Sequence, residues 1–182
     1  MDIGGSPITA ALVDLEKKVL VEGTIKRSLV NSKAGSNFIL IAWCKIIIEA
    51  YNGYESVTKN IGIAMPGHLD YKEGICLIKD KEKLKSFYNV NIKKVLVRRL
   101  NILVESIRFV NDAAGFLQGE IFNDISITGN QNILGLTLGM DLGTSILSGG
   151  VTADAVLWDS SFLNGIAEDY FSTAWFVKRY HP

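Results

Sequence analysis

An asparagine and an aspartate stand side by side near the middle of the chain, directly after a run of apolar residues. Residues 107–110 predict a buried strand, and residues 113–122 predict a helix. Asn111 and Asp112 lie between them, so we expect both side chains at the carboxyl end of a sheet, where open α/β folds bind ligands. Asn111 can donate and accept hydrogen bonds, and the Asp112 carboxylate can take a proton from a hydroxyl. The alternative is that Asp112 only caps the helix and complements its dipole.

Two glycine turns precede and follow this pair. Their members are Asp2, Gly4, Gly5 and Ser6 in the first turn, and Gly139 and Gly143 in the second. Glycine lets backbone N–H groups approach phosphate oxygens closely, because no Cβ intervenes. An acidic side chain beside such a turn can help to hold Mg²⁺ through water, which makes Asp2 a candidate ligand. Pro66 and Gly67 follow another buried strand, so four strand ends carry candidate site residues in sequence order.

The elements that must position these groups follow the order β-β-β-α-β-α-β-α, and the first three strands predict an antiparallel meander. The predicted strands are the end of a strand at residues 1–3 and the segments 7–14, 19–29, 61–65, 74–78, 107–110, 133–138 and 146–148. The predicted helices are 36–51, 91–100, 113–122 and 166–180, with Ser36 and Asn91 as N-caps of the first two. The polar loop 123–131 is the predicted boundary between domains at residues 1–122 and 123–182.

The composition narrows the class of protein. The chain has 182 residues, of which 48% are hydrophobic, with 19 basic and 19 acidic side chains. A net charge of zero argues against a nucleic-acid partner for this chain and against an acidic membrane surface. The longest apolar run, residues 38–48, is too short to span a bilayer. Cys44 and Cys76 belong to no C-x-x-C motif, so we expect free thiols in a reducing cytoplasm.

The four strand-end motifs together resemble the ROK family of sugar kinases and sugar-responsive repressors, within the actin–hexokinase–Hsp70 superfamily. The resemblance extends from Asp2 to about Tyr180. The segments that carry it are residues 2–6, 62–67 (the pattern G-x-G-x-P-G), 110–114, 136–139 with Gly143, and 168–172. It implies an α/β fold of the ribonuclease H-like, or actin-like ATPase, type. Its mixed sheet would begin with a three-stranded antiparallel meander, continue with parallel strands and be flanked by helices.

The resemblance also implies an activity, which is ATP-dependent phosphoryl transfer to a hydroxyl of a hexose or N-acetylhexosamine. Asp112 would accept the hydroxyl proton, and the glycine turns would position the phosphates with Mg²⁺. The residues that would bind the sugar are Asn111, Glu168, Pro66, Gly67 and Asp154. Two lobes would close over the sugar, and the chain would form a possible homodimer.

The sequence departs from the family pattern at three places. Met140 and Asp141 replace a Thr-Gly pair in the second glycine turn, and a carboxylate there repels a phosphate. The sugar motif E-x-G-H is missing, which leaves Asp154 as the candidate replacement for its glutamate. The cysteine-rich zinc loop is also missing, so no zinc is expected. The family pattern continues beyond Pro182, so we expect a partial second lobe with exposed apolar surface on the 133–148 sheet or on the last helix.

Three functions remain open at this point. The first is a sugar kinase with Asp112 as its base. The second is a non-catalytic sugar-binding regulator, either a pseudokinase or a fragment of a ROK-type transcriptional regulator, and the altered turn favours it. The third is a degenerate domain that serves only for dimerisation.

Overall fold

The computed structural model of the chain describes residues 1–4, 7–79, 84–123 and 132–180. The chain divides into two compact units, Met1–Val110 and Asn111–Pro182. The helices are α1 (Ser36–Ala50), α2 (Ile92–Leu100), α3 (Asp112–Asn123) and α4 (Thr173–Tyr180). The strands are β1 (Asp2–Ile3), β2 (Pro7–Ala10), β3 (Val13–Asp14), β4 (Val19–Leu20), β5 (Lys26–Leu29), β6 (Ile61–Met65), β7 (Leu69–Asp70), β8 (Ile75–Cys76), β9 (Ile107–Asn111), β10 (Asn132–Leu138), β11 (Leu142–Ser148), β12 (Val151–Asp154), β13 (Ser161–Phe162) and β14 (Gly165–Ile166).

Five of these strands form one mixed sheet in the order β5-β2-β1-β6-β9. β1 runs antiparallel to β2, and β2 runs antiparallel to β5, whereas β1 runs parallel to β6. Asp2 therefore stands opposite Thr9 on one side and Ala64 on the other. The predicted mixed sheet, with its antiparallel meander and its parallel continuation, is confirmed.

The core of the first unit lies between this sheet and helices α1 and α2. β6 alternates as a half-buried strand should, because Ile61, Ile63 and Met65 are buried while Gly62 is exposed. Trp43 of α1 is fully buried and stacks on Phe87, with 5.3 Å between the ring centroids. Burying large side chains of this kind contributes roughly 2–3 kcal/mol each, so packing of this kind stabilises the position of α1 in the first unit.

Two of the predicted strands are interrupted. The segment 7–14 breaks after Ala10, and the segment 19–29 contains a turn at Gly23, whose φ is +75°. The buried Thr24 hydroxyl explains the break, since its Oγ1 accepts a hydrogen bond from Leu12 N (3.1 Å) and donates one to Val21 O (2.7 Å). A side chain that satisfies backbone groups in this way replaces the ladder bonds of a continuous strand.

The predicted N-cap of α1 is wrong by one residue. Gly35, with an extended backbone, occupies the N-cap position, and Ser36 is the first helical residue. Gly35 O accepts hydrogen bonds from Phe38 N and Ile39 N, so the helix starts before a serine side chain can cap it. The predicted cap of α2 is confirmed, because the Asn91 side chain accepts a hydrogen bond from Lys94 N at 2.8 Å.

The second unit contains the antiparallel sheet β10-β11-β12, and α3 packs on one face of it. Close contact between sheet and helix depends on glycine. A Cβ added to Gly135 would lie 3.3 Å from the Cβ of Leu117, and one added to Gly143 would lie 3.0 Å from the Cβ of Ala113. Gly143 lies inside β11, so the second glycine turn is shorter than the predicted span of 139–143.

The last helix is also shorter than predicted. The segment 166–180 was expected to be one helix, but α4 begins at Thr173. Before it, Ile166 ends β14 and Ala167–Asp169 forms a single 3₁₀ turn. The Asp169 carboxylate accepts a hydrogen bond from Ile166 N at 3.1 Å, which closes this turn locally and separates it from α4.

The face of β10 opposite α3 is largely exposed, as expected for this sheet. Leu134, Leu136 and Leu138 alternate along the strand and are 53%, 53% and 63% exposed. Among the described residues, no helix is long and apolar enough to cross a membrane. The predicted domain boundary at residues 122 and 123 stays a prediction, and most of the loop on which it rested, 124–131, lies outside the described residues.

Candidate functional site

The Asn111–Asp112 pair lies where β9 ends and α3 begins, as the sequence predicts. The Asn111 Oδ1 accepts a hydrogen bond from Ala114 N at 3.1 Å, and the Asp112 Oδ1 accepts one from Ala113 N at 2.9 Å. Both side chains are half-buried. They therefore do cap α3, but a carboxylate has about four lone-pair sites, so one bond from Ala113 does not prevent Asp112 from accepting a proton. The capping bonds fix the direction of both side chains.

The second glycine turn follows β10 and is closed by its own backbone. Gly139 N donates a hydrogen bond to Asp141 O at 3.2 Å. Gly139 O accepts two hydrogen bonds from the start of α4, one from Thr173 N (2.8 Å) and one from Thr173 Oγ1 (2.6 Å). Met140 and Asp141 at the tip are exposed. Thr173 thus anchors the turn, and no sequence motif had pointed to it.

Glu168 lies beside the same turn. Its Oε2 accepts a hydrogen bond from Leu142 N at 3.3 Å, across 26 residues of sequence. Glu168 belongs to the 3₁₀ turn rather than to α4, and it is half-buried. The predicted sugar ligand Glu168 is therefore bonded to Leu142, which lies between the predicted phosphate residues Gly139 and Gly143.

Gly143 connects this turn to the Asn111–Asp112 pair. Any side chain at Gly143 would collide with the hydroxyl of Thr137 and press on Ala113, the second residue of α3. Because glycine stands there, the strand after the second turn lies directly against the first turn of the helix that Asp112 begins. Contacts between neighbouring residues thus link four predicted site residues of the second unit, namely Asp112, Gly139, Gly143 and Glu168.

Asp154 supports a turn at the end of β12. Its Oδ1 accepts hydrogen bonds from Val156 N (2.8 Å) and from the Thr144 hydroxyl (3.5 Å), and Thr144 Oγ1 accepts one from Leu157 N (3.0 Å). Val156 has φ +53°, a conformation that is rare for a β-branched residue. Asp154 and the buried Thr144 therefore stabilise a strained turn, a role that the sequence does not reveal because no motif contains Thr144.

The first unit carries the first glycine turn. Gly4 N donates a hydrogen bond to Pro7 O at 3.2 Å, and a Cβ on Gly4 would lie 3.0 Å from that oxygen, a tight contact that glycine avoids. Asp2 is exposed on β1. Gly5 and Ser6 lie outside the described residues, and the predictions that concern them are not tested by the structure.

The Pro66–Gly67 turn follows β6 in the same unit. Gly67 has φ +92°, and a Cβ there would lie 2.8 Å from the Cδ1 of Ile78, so only glycine fits. The Tyr71 hydroxyl donates a hydrogen bond to Gly67 O at 2.8 Å and lies 3.4 Å from Met65 O. Tyr71 therefore holds the end of β6 and its turn together. The sequence offers no signal for this contact, because Tyr71 stands in a polar turn.

The described part of the chain contains no group of three His, Cys, Asp or Glu side chains that could hold a metal ion. The Asp2 carboxylate could offer one ligand to Mg²⁺ through water, which fits a metal brought by a nucleotide better than one bound by the protein alone. The predicted lack of structural zinc stays a prediction.

Comparison with known proteins gives three kinds of result. The sequence model of the ROK family matches residues 1–154 of the chain. A search of curated protein sequences found no match. Among solved structures, the inorganic polyphosphate/ATP-glucomannokinase of Arthrobacter sp. strain KM superposes with a TM-score of 0.78 at 23% identity, covering 98% of this chain and 68% of that one.

Two further structures are similar. A ROK family glucokinase from Streptomyces griseus, solved in complex with glucose and AMPPNP, has a TM-score of 0.75 at 22% identity, over 97% of this chain and 57% of that one. A ROK family transcriptional regulator, a homologue of the E. coli MLC protein, has a TM-score of 0.74 at 18% identity, over 98% and 47%. The chain thus spans between about half and two thirds of their lengths. These likenesses show the actin-like ATPase fold.

Proposed function

Because the chain belongs to the ROK family, we propose that it is a sugar kinase-like protein that transfers the γ-phosphoryl group of ATP to a hydroxyl of a hexose or N-acetylhexosamine. One observation carries this proposal. The strand that follows the second glycine turn lies against the first turn of α3, so a phosphate held at Gly139 would be near the Asp112 carboxylate. Phosphoryl transfer needs such positioning more than it needs covalent chemistry.

Each predicted site residue has a role in this proposed reaction. Asp112 accepts the proton of the attacking hydroxyl, and Asn111 and Glu168 bind neighbouring hydroxyls. Pro66, Gly67 and Asp154 complete the sugar site. The phosphate ligands are the backbone groups of Gly4, Gly5, Ser6, Gly139 and Gly143, with Asp2 beside them. Mg²⁺, when bound with ATP, spreads the charge that develops on the transferred group.

We further propose that residues 1–122 form the lobe that carries the first phosphate motif and most of the sugar ligands. Residues 123–182 then belong to the lobe of the second phosphate motif. We place the protein in the cytoplasm, where a reducing environment suits its two buried free cysteines, Cys44 and Cys76.

The hydrogen bonds and the charge of the second glycine turn favour a second function. Two backbone N–H groups that a phosphate would need there already have acceptors, since Gly139 N bonds Asp141 O and Leu142 N bonds Glu168. The exposed Asp141 adds a negative charge. These contacts support a sugar-binding regulator that does not use ATP, and its sugar ligands would be the same residues.

A coupled assay of ADP release, run with ATP, Mg²⁺ and a panel of hexoses and N-acetylhexosamines, separates the two functions. Melting temperatures with each sugar and with ATP alone are measured in parallel. Turnover with at least one sugar supports the kinase. Stabilisation by a sugar, without turnover and without stabilisation by ATP, contradicts the kinase and supports the regulator. If no sugar changes either quantity, both functions are wrong.

A further inference from the structure

The β10-β11-β12 sheet turns one face toward α3, and three hydroxyl side chains lie on that face. Gly135 and Gly143 identify the face, because a side chain at either position would press on α3. Strand residues alternate between the two faces of a sheet, so the register of the three strands shows which residues share this one. The hydroxyl side chains on it are Thr137 of β10, Ser145 of β11 and Thr152 of β12.

Two of these hydroxyls have a partner inside the chain, and the third does not. Ser145 Oγ donates a hydrogen bond to Gly135 O at 3.4 Å, and Thr152 Oγ1 donates one to Gln118 Oε1 of α3 at 3.1 Å. Among the residues that the structure describes, none makes a hydrogen bond with the Thr137 hydroxyl. Thr137 is half-buried and its hydroxyl oxygen is not fully enclosed, so a group from outside the chain can reach it.

The Thr137 hydroxyl is therefore not needed to hold the sheet together. A valine at this position would keep the branched shape that suits a strand, and no hydrogen bond between described residues would be lost. A hydroxyl beside a packed helix also gives up part of its water, which costs free energy unless another polar group replaces that water. A bound ligand supplies such a group.

The position of Thr137 indicates which ligand. Thr137 stands two residues before Gly139 and lies directly opposite Gly143 across the ladder. A Cβ added to Gly143 would collide with the Thr137 hydroxyl and would lie 3.0 Å from the Cβ of Ala113. The hydroxyl thus lies beside both the second glycine turn and the first turn of α3, which Asp112 begins.

The charges of the second unit show why a neutral donor matters here. Asp112, Asp141 and Glu168 place three carboxylates at or beside the second glycine turn and the start of α3. The basic side chains of this unit are Lys178 and Arg179, and both lie in the last turn of α4. Within the unit, a phosphoryl group at the turn therefore depends on backbone N–H groups and hydroxyls.

We propose that the Thr137 hydroxyl donates a hydrogen bond to an oxygen of the phosphoryl group that is transferred. This inference rests on the proposed function and adds a side-chain ligand to a phosphate site otherwise made of backbone groups and Ser6. The same phosphoryl group belongs to ATP before the transfer and to the sugar phosphate after it, whereas ADP lacks it. Hydrogen bonds to charged oxygens are the stronger ones, so loss of this one should weaken binding about tenfold or more.

Calorimetric titration of the whole chain with ATP, ADP and glucose 6-phosphate, each with Mg²⁺, measures this contact. Thr137→Val should raise the dissociation constants of ATP and glucose 6-phosphate about tenfold and leave that of ADP unchanged. A loss for ATP alone, or for glucose 6-phosphate alone, also supports the contact and shows on which side of the transfer it forms. Thr137→Ser keeps a hydroxyl and should restore most of the affinity.

Thr152→Val is the matched control, because it removes a hydroxyl from the same face of the same sheet. It should leave all three dissociation constants unchanged. Without ligand it should melt about 2–4 °C below the unchanged chain, since it loses the bond to Gln118. Thr137→Val loses no such bond and should melt at or above the temperature of the unchanged chain.

Three results would overturn the proposal. They are equal ligand binding by Thr137→Val and the unchanged chain, a lower melting temperature for Thr137→Val than for Thr152→Val, and no binding of either ATP or glucose 6-phosphate by the unchanged chain. Turnover separates this inference from the proposed function. Sugar-dependent turnover with unchanged ligand affinities in Thr137→Val leaves the kinase and removes this ligand. Weaker glucose 6-phosphate binding by Thr137→Val, without turnover of any sugar, keeps this ligand and removes the kinase.

Discussion

The Oε2 oxygen of Glu168 accepts a hydrogen bond from the backbone N–H of Leu142 at 3.3 Å. The bond joins Glu168, which we propose binds a sugar hydroxyl, to Leu142, which lies between the proposed phosphate residues Gly139 and Gly143. A sugar that draws the carboxylate away frees the Leu142 N–H for a phosphate oxygen. The two proposed binding sites are therefore expected to affect one another.

Glu168→Gln keeps a side-chain oxygen for Leu142 N but loses the negative charge. We expect sugar affinity to fall about tenfold or more, because hydrogen bonds to a charged group contribute about 1.5–3 kcal/mol. Glu168→Leu should weaken sugar binding further and also lower the free energy of unfolding. Calorimetry and urea unfolding measure the two effects. Glu120→Leu, at an exposed position of α3, is the control, and equal losses in that variant would contradict the role of Glu168.

Asp141→Asn removes the carboxylate at the tip of the second glycine turn. A phosphate near this position would no longer meet a like charge, so we expect the dissociation constant for ATP to fall by about tenfold. Asp159→Asn removes an exposed carboxylate elsewhere in the second unit and should not change ATP binding. If the two variants bind ATP equally, the turn does not face the nucleotide phosphates.

Gly143→Ala tests the close approach of β11 to α3. The added methyl group would collide with Thr137 and press on Ala113, so we expect a loss of about 1–3 kcal/mol in the free energy of unfolding. Gly119→Ala, on the exposed side of α3 with open space around it, should instead stabilise the protein by up to about 1 kcal/mol. Chemical unfolding of both variants measures the difference. A destabilisation by Gly119→Ala equal to that of Gly143→Ala would contradict this account.

The two buried thiols predict a loss of stability at alkaline pH. Burial raises the pKa of Cys76 and of Cys44 above the ordinary value, and in Cys44 the neighbouring Arg99 only partly opposes the shift. Below the thiol pKa of the unfolded chain, about 8.5, both states are protonated and the thiols cause no change. As the pH rises from there through the raised pKa of the folded state, the unfolded chain loses its protons first and stability falls. Cys76→Ala should reduce the slope of unfolding free energy against pH between about pH 8 and 10, and an unchanged slope would refute this assignment.

Much of the fold follows from local patterns in the sequence. β6 and α2 were predicted because an alternating strand and an Asn91 cap each depend on a few neighbouring residues. The errors occur where a distant or buried group overrides the local pattern. Thr24 breaks two strands through its hydroxyl, and Asp169 closes a separate turn before α4.

In the candidate site, too, local sequence patterns predict some features, whereas contacts between distant residues determine others. The positions of Asn111, Asp112 and Gly139 at element ends follow from the hydrophobic pattern and the glycines around them. The residues that hold the turns in place act through isolated hydrogen bonds: Tyr71 bonds Gly67 across 4 residues, and Thr173 bonds Gly139 across 34 residues. Such bonds leave no periodicity and no motif, so only the three-dimensional structure reveals them.

Asp112→Asn tests the central claim most directly, because it keeps the size of the side chain and the oxygen that accepts the bond from Ala113 N. ADP release and calorimetric sugar binding are measured on the same preparation as the unchanged chain. A general base contributes about 10²–10⁴-fold, so the account predicts that sugar-dependent turnover falls by at least that factor while the dissociation constant for the sugar changes little. Equal turnover in the two proteins, or no turnover in the unchanged chain, would contradict the claim that Asp112 is the base of a sugar kinase.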